Sequence, residues 1–217
     1  MEIREAITKD DVPSRHPSYL RERLVISELF KVNKLTFIQS HHDRILIGGA
    51  SLTKTNLDIV APEDFGASYL LERRELGLAC LSGLVKVKVD DKEYDLESED
   101  ILYIGRGSKS ISVSGTGDIY ISSSMCHESN PTTLIKKSEA ETLVIGDTKH
   151  SNERTLRKYI HDQGVPSAAM AMGITTIHEG SAWNTMPCHV HERRTEVYLY
   201  FDLPTDEKVV HIFGEPH

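Results

Sequence analysis

Cysteine is scarce in this chain. There are three in 217 residues, Cys80, Cys126 and Cys188, with no C-x-x-C pair among them. That excludes a disulfide framework and suits a reducing compartment. Long apolar runs are missing as well. None approaches the ~20 residues a membrane-crossing helix needs, and the N-terminus "MEIREAITKDD" has no apolar signal-peptide region. The expectation is therefore a cytoplasmic protein with no membrane partner. Positive charge is in deficit, with 25 Lys and Arg against 33 Asp and Glu, which leaves a net charge of −8. A chain this acidic is a poor match for nucleic acid or anionic membranes without a local basic patch.

Helical periodicity is also rare. One short helix is expected from about Ser18, with the serine as N-cap, in "SYLRERLVISELF", and a second helix or turn in "SNERTLRKYI". The remainder reads as short strands between turns. "KLTFIQ", "DRILIGG", "TNLDIVA", "ELGLACLSG", "DILYIGRG", "SISVSGTGDIYISSS" and "AAMAMGITTIHEG" follow one another closely. "VKVKVDDKEYDL" alternates strictly and turns at Asp90-Asp91, the pattern of a hairpin. The expected fold class is all-β, in sandwiches or barrels with few short helices.

The chain echoes itself. "YLLERRELGL" (Tyr69–Leu78) resembles "HVHERRTEVYL" (His189–Leu199), with Glu72-Arg73-Arg74 over Glu192-Arg193-Arg194 at an offset of 120 residues. Tyr69 then takes the place of His189, and Leu71 that of His191. A duplicated barrel follows, with the hydrophilic "KKSEAETLVIGDTKHSNER" as the connection between the halves.

The second copy carries the chemistry. Along a strand, residues i and i+2 share a face, so His189 and His191 aim at one spot while Val190 turns away. A bend at "ERRT" returns Glu196 to that face. Two imidazoles and a carboxylate form a divalent-metal donor set. Isolated histidines, His178 among them, have no such partner, and His211 is held in reserve as a ligand. Cys188 faces away. Arg193 and Arg194 are either a solvated pair or the partners of a substrate carboxylate. Tyr198 and Tyr200 share the face of Glu196 and are either core aromatics or donors to substrate oxygens.

H-x-H-x4-E resembles the first metal motif of the cupin superfamily, although the glycines that usually flank it are displaced or missing. The longer stretch "WNTMPCHVHERRTEVYLYF", together with "HHDRILIGG", "LTKT", "SYLLERRELG", "DILYIGRGSK", "SNERTLRKY" and "MAMGIT" in that order, is similar to the bacterial 5-keto-4-deoxyuronate isomerase family. The resemblance implies a two-domain cupin. Residues 1–145 would form an N-terminal barrel without metal ligands. Residues 146–217 would begin a metal-binding barrel that is incomplete in this chain. It further implies one Zn2+ per subunit on His189, His191 and Glu196, with a fourth ligand, a histidine, in a later strand beyond residue 217. A homohexamer, a sugar-acid substrate from pectin breakdown and an aldose-ketose isomerisation complete the expectation. Arg193, Arg194, Arg44 and Lys54, in that order, are the candidate cations for the substrate carboxylate, and the catalytic base is not named by the sequence. Two other readings stay open: a cupin-type non-haem iron oxygenase, and a non-catalytic cupin that binds a sugar acid.

Overall fold

The computed structural model describes residues 1–192, 194–212 and 214. Strands dominate it. In chain order they are β1 (Glu2–Arg4), β2 (Thr36–Ser40), β3 (Leu46–Thr53), β4 (Leu57–Asp58), β5 (Arg74–Cys80), β6 (Leu84–Val89), β7 (Lys92–Glu97), β8 (Ile101–Ile104), β9 (Ile111–Met125), β10 (Thr133–Ile135), β11 (Glu141–Ile145), β12 (Arg154–Ile160) and β13 (Met172–Ile177). The helices are few and short, α1 (Asp11–Ser14) and α2 (Pro17–Leu24). The all-β expectation therefore holds.

Ten strands make one sheet with the path β1-β2-β3-β9-β5-β8-β10, onto which β4, β6 and β7 attach through β9 and β6. Among the described residues the path is open, because β1 pairs only with β2 and β10 only with β8. β9 is the organising strand. Its first half pairs with β4 and β6, and its second half with β3 and β5. The changeover falls at Gly115 and Gly117, whose φ values of +118° and +144° suit glycine. A Cβ at Gly115 would also run into the backbone of Leu84, where β6 passes. Glycine thus lets one long strand bend from one set of partners to the other.

The β6–β7 hairpin forms with Val89 opposite Lys92 and the turn at Asp90-Asp91. Val85, Val87 and Val89 are buried while Lys86 and Lys88 are exposed, as the alternation demands. β5 is buried along its whole length. Leu76 and Leu78 pack with Leu46, Leu102, Ile119 and Ile121 in the main core. Cys80 and Cys126 are buried free thiols, and burial is the main influence pushing each up to about 11.

Three sequence expectations need correcting. The N-cap of α2 is His16 rather than Ser18. Its ring accepts the Ser18 amide, and Pro17 occupies the first turn, where its missing N–H removes nothing. "SNERTLRKYI" is not helical, for β12 occupies most of it. Thr155 and Tyr159, on one face of that strand, are both buried. The expected connection contains β11 as well as the 3-10 turn Thr148–His150.

β11, β12 and β13 form a second sheet in that order. The chain divides into two compact units. One comprises Met1–Glu141 with Lys158–Gly173, the other Thr142–Arg157 with Ile174–His217. No helix of the described residues is long and apolar enough to cross a membrane.

Candidate active site

The segment that follows β13 carries the H-x-H motif. It begins tied to the turn before β12: Ala182 and Trp183 both donate their amides to the Ser151 carbonyl, at 2.8 and 3.0 Å. Ser151 can present that carbonyl because it adopts the left-handed conformation, with φ of 52°. Ser181 Oγ accepts the Glu153 amide at 2.9 Å. Beyond Ile177 the described residues include no helix or strand. The strand expected at "EVYLYF" is therefore not formed. The segment has no ladder among the described residues, and Val197, Tyr198 and Tyr200 are exposed.

The motif residues nevertheless come together. The rings of His189 and His191 meet edge to face with centroids 4.8 Å apart. His191 Nε2 lies 3.5 Å from Glu196 Oε1. Arg194 joins them, with Nη2 3.0 Å from His191 Nε2 and 2.7 Å from Glu196 Oε1, while its Nε donates to the same oxygen at 2.9 Å. A guanidinium only donates, so His191 Nε2 must accept, with its lone pair turned toward the cation. Tyr198 donates to Glu196 Oε2 at 2.7 Å.

These contacts set the protonation states. Partial burial works against the charge on Glu196. The hydrogen bonds from Tyr198 and Arg194, with the nearby positive charge, outweigh it and hold the carboxyl below its usual range. Burial is the first cause that raises Tyr198, to about 12, and the bond to Glu196 adds to it. Burial raises Tyr200 as well. At neutral pH Glu196 is a carboxylate and both phenols keep their protons.

His211 joins the aromatic end of this cluster. Its Nδ1 is 2.6 Å from the Tyr200 hydroxyl, and its ring stands 5.0 Å from that of Tyr198. The two tyrosine rings stack at 6.4 Å. Cys188 is a half-buried free thiol. Arg193 and His217 lie outside the described residues.

Among the described residues no three acidic, histidine or cysteine side chains converge closely enough to grip an ion as they stand. The donor chemistry still fits one. His191 Nε2 and Glu196 Oε1 already meet on a single positive group, the Arg194 guanidinium, and the His189 imidazole stands against that of His191. Imidazole and carboxylate are ligands suited to Zn2+.

Arg44 and Lys54 are not brought together. They bracket β3 at its two ends, roughly 25 Å of strand apart, and each has a left-handed backbone. Lys54 is exposed. Arg44 instead lines a cavity of about 230 Å3 with Gln39, Phe65, Leu70, Arg73 and Arg74 among others. The sequence reading did not single out Arg74 or Glu75. Both are buried, at 3% and 0% exposure, and as neighbours on β5 they face opposite sides. An adjacent arginine and glutamate opening an apolar strand was the signal available for them.

Comparison with known proteins gives these positions a context. The KduI/IolB family model matches residues 25–211. A protein of Lachnoclostridium phytofermentans named 4-deoxy-L-threo-5-hexosulose-uronate ketol-isomerase is 41% identical over 221 residues, covering 100% of this chain and 80% of its own length. A protein of the same name from Bacillus subtilis is 40% identical over 220 residues, with the same coverage. Among solved structures, a cupin superfamily protein from Desulfitobacterium hafniense is similar over 47% of this chain and 84% of its own, at 18% identity and a TM-score of 0.30. With its match to the family model running from the end of α2 almost to the last described residue, and relatives near 40% identical along its whole length, the chain belongs to the KduI/IolB family.

Proposed function

We propose that this protein is a ketol-isomerase acting on 4-deoxy-L-threo-5-hexosulose uronate, and that it works with a zinc ion held by His189, His191 and Glu196. The isomerase reading is supported by the shared name of its relatives, 36–41% identical over the full chain. The metal reading is carried by one observation: His191 and Glu196 present their acceptor atoms to the same cation, 2.7 to 3.0 Å away. His189 completes the set.

The reaction moves a carbonyl from C1 to C2. A proton leaves the carbon beside the carbonyl, an enediol forms, and a proton returns to the neighbouring carbon. When bound, zinc would supply Lewis-acid polarisation of the substrate oxygens. The chain's own residues supply orientation and charge. Glu196 stays ionised because Tyr198 and Arg194 both donate to it. Tyr198 and Tyr200 hold their protons at neutral pH, so neither serves as the base that takes the proton, and the Tyr198 hydroxyl is already given to Glu196. Arg194 offers a planar set of donors suited to the substrate carboxylate. The same reading assigns metal binding to the module from residue 146 onward, and it carries cytoplasmic residence and a homohexameric assembly.

The test is zinc per chain, by elemental analysis, together with isomerase rate, for the wild type and His191→Ala. Loss of zinc and rate together in the variant supports the reading. Turnover retained without zinc overturns the metal assignment. Oxygen uptake in place of isomerisation overturns the reaction in favour of an iron oxygenase.

A further inference from the structure

We propose that the first unit binds a small organic carboxylate, of uronate size, in the cavity lined by Arg44, Arg73 and Arg74. Gln39, Phe65, Leu70 and Met125 complete much of the wall, and every lining residue belongs to that unit. The zinc reading plays no part in this inference.

Arg74 is part of this cavity wall. Its side chain is buried at 3% exposure, and it donates to two backbone carbonyls, Ser123 at 3.0 Å and Arg44 at 2.6 Å. These carbonyls take two of its N–H groups but do not neutralise its charge. Among the described residues no carboxylate pairs with Arg74 or Arg44. Glu75 is the neighbour in sequence, yet it turns to the other face of β5 and is engaged by Tyr103, Ala168 and Ala169. Phe65 lies against the Arg74 guanidinium, 4.8 Å from its ring centroid, which adds a weak attraction and no counter-charge. An uncompensated buried cation is costly unless something at the site answers it. Burial, and then the charge of Arg44, lower the Arg74 guanidinium to about 10. A bound anion relieves both influences.

The internal echo bears on that charge. At the offset of 120 residues Arg74 corresponds to Arg194, which bridges His191 and Glu196. The residues corresponding to His191 and Glu196 are Leu71 and Leu76, buried at 1% and 0%. The first copy has the arginine but leucine at both positions whose counterparts share the charge of Arg194. Arg73, also on the cavity, lies 3.9 Å from Glu72, so in a chain of net charge −8 the cavity takes its positive character from Arg44 and Arg74. Arginine's planar fork matches a carboxylate, and the volume admits one molecule the size of a hexuronate.

The experiment is calorimetric titration of the full chain with D-galacturonate in the presence of EDTA, with D-glucose as a neutral control of similar size. Saturable binding of galacturonate, weakened by salt and absent for glucose, is expected. Arg44 and Arg73 are exposed, so the double variant Arg44→Gln/Arg73→Gln should fold, and it should weaken binding at least ~10-fold. A second variant, Ala67→Glu, places a carboxylate on the cavity wall and should abolish binding by self-neutralisation. His189→Ala should bind as the wild type does, which separates this site from the proposed metal site. No saturable binding by the wild type, or equal affinity in the Arg44/Arg73 and Ala67 variants, would overturn the proposal.

Discussion

Replacing Glu75 tests how the first unit is held together. Its carboxylate is wholly buried and accepts three hydrogen bonds: Tyr103 Oη at 2.7 Å and the Ala168 amide at 2.8 Å on one oxygen, the Ala169 amide at 2.7 Å on the other. Tyr103 is a firm donor, because burial and the bond to Glu75 raise its hydroxyl well above the ordinary tyrosine value. The carboxylate therefore fastens a segment more than ninety residues away onto β5. Glu75→Gln keeps the shape but turns one acceptor into a donor facing another donor. A hydrogen bond to a charged group contributes about 1.5–3 kcal/mol, and a buried donor left without a partner costs about 1–3 kcal/mol. A net loss of about 3 kcal/mol follows, which lowers the melting temperature of a unit this size by roughly 6–12 °C. Tyr103→Phe removes one of the three bonds and should lose about 1–2 kcal/mol. Calorimetric melting gives the global figure, and hydrogen exchange gives the local one: the Ala168 and Ala169 amides should exchange faster in Glu75→Gln. A variant that melts with the wild type, with those amides still protected, would refute the clamp.

Two further outcomes follow. Asp100 is buried, and that burial opposes its charge, but Lys136 Nζ and the Glu97 and Lys137 amides hold it below the usual carboxylate range. A depressed acid contributes stability that is fully present above its unfolded value, near 4, and is lost as pH falls through the folded one. Asp100→Asn should therefore lower stability at neutral pH and flatten the fall below pH ~4, as denaturant melts across pH would record. His178 Nε2 lies 2.7 Å from Thr155 Oγ1, a largely buried hydroxyl. His178→Ala should lose about 1 kcal/mol of stability with zinc content unchanged. A loss of zinc would show that the wrong histidines were chosen.

Local pattern determined what local physics controls. Strict alternation in "VKVKVDDKEYDL" committed Val85, Val87 and Val89 to the core and placed the turn at Asp90, because the pleat alone sets which side a residue faces. H-x-H-x4-E brought His189, His191 and Glu196 into one neighbourhood, since all of them lie within eight residues. The strand at "EVYLYF" was not decided in this way. Its residues have the propensity, but a strand exists only where a ladder partner lies beside it. β12 shows the converse, since its sequence admits a helix and the positions of β11 and β13 on either side make it a strand. The charges at the head of β5 depended on tertiary structure most of all. Glu75 is satisfied by amides 93 and 94 residues away and Arg74 by carbonyls 30 and 49 residues away. No window of sequence contains both ends of such contacts, so only the folded chain shows that Glu75 is met by amide and hydroxyl donors while Arg74, among the described residues, is met by carbonyls alone.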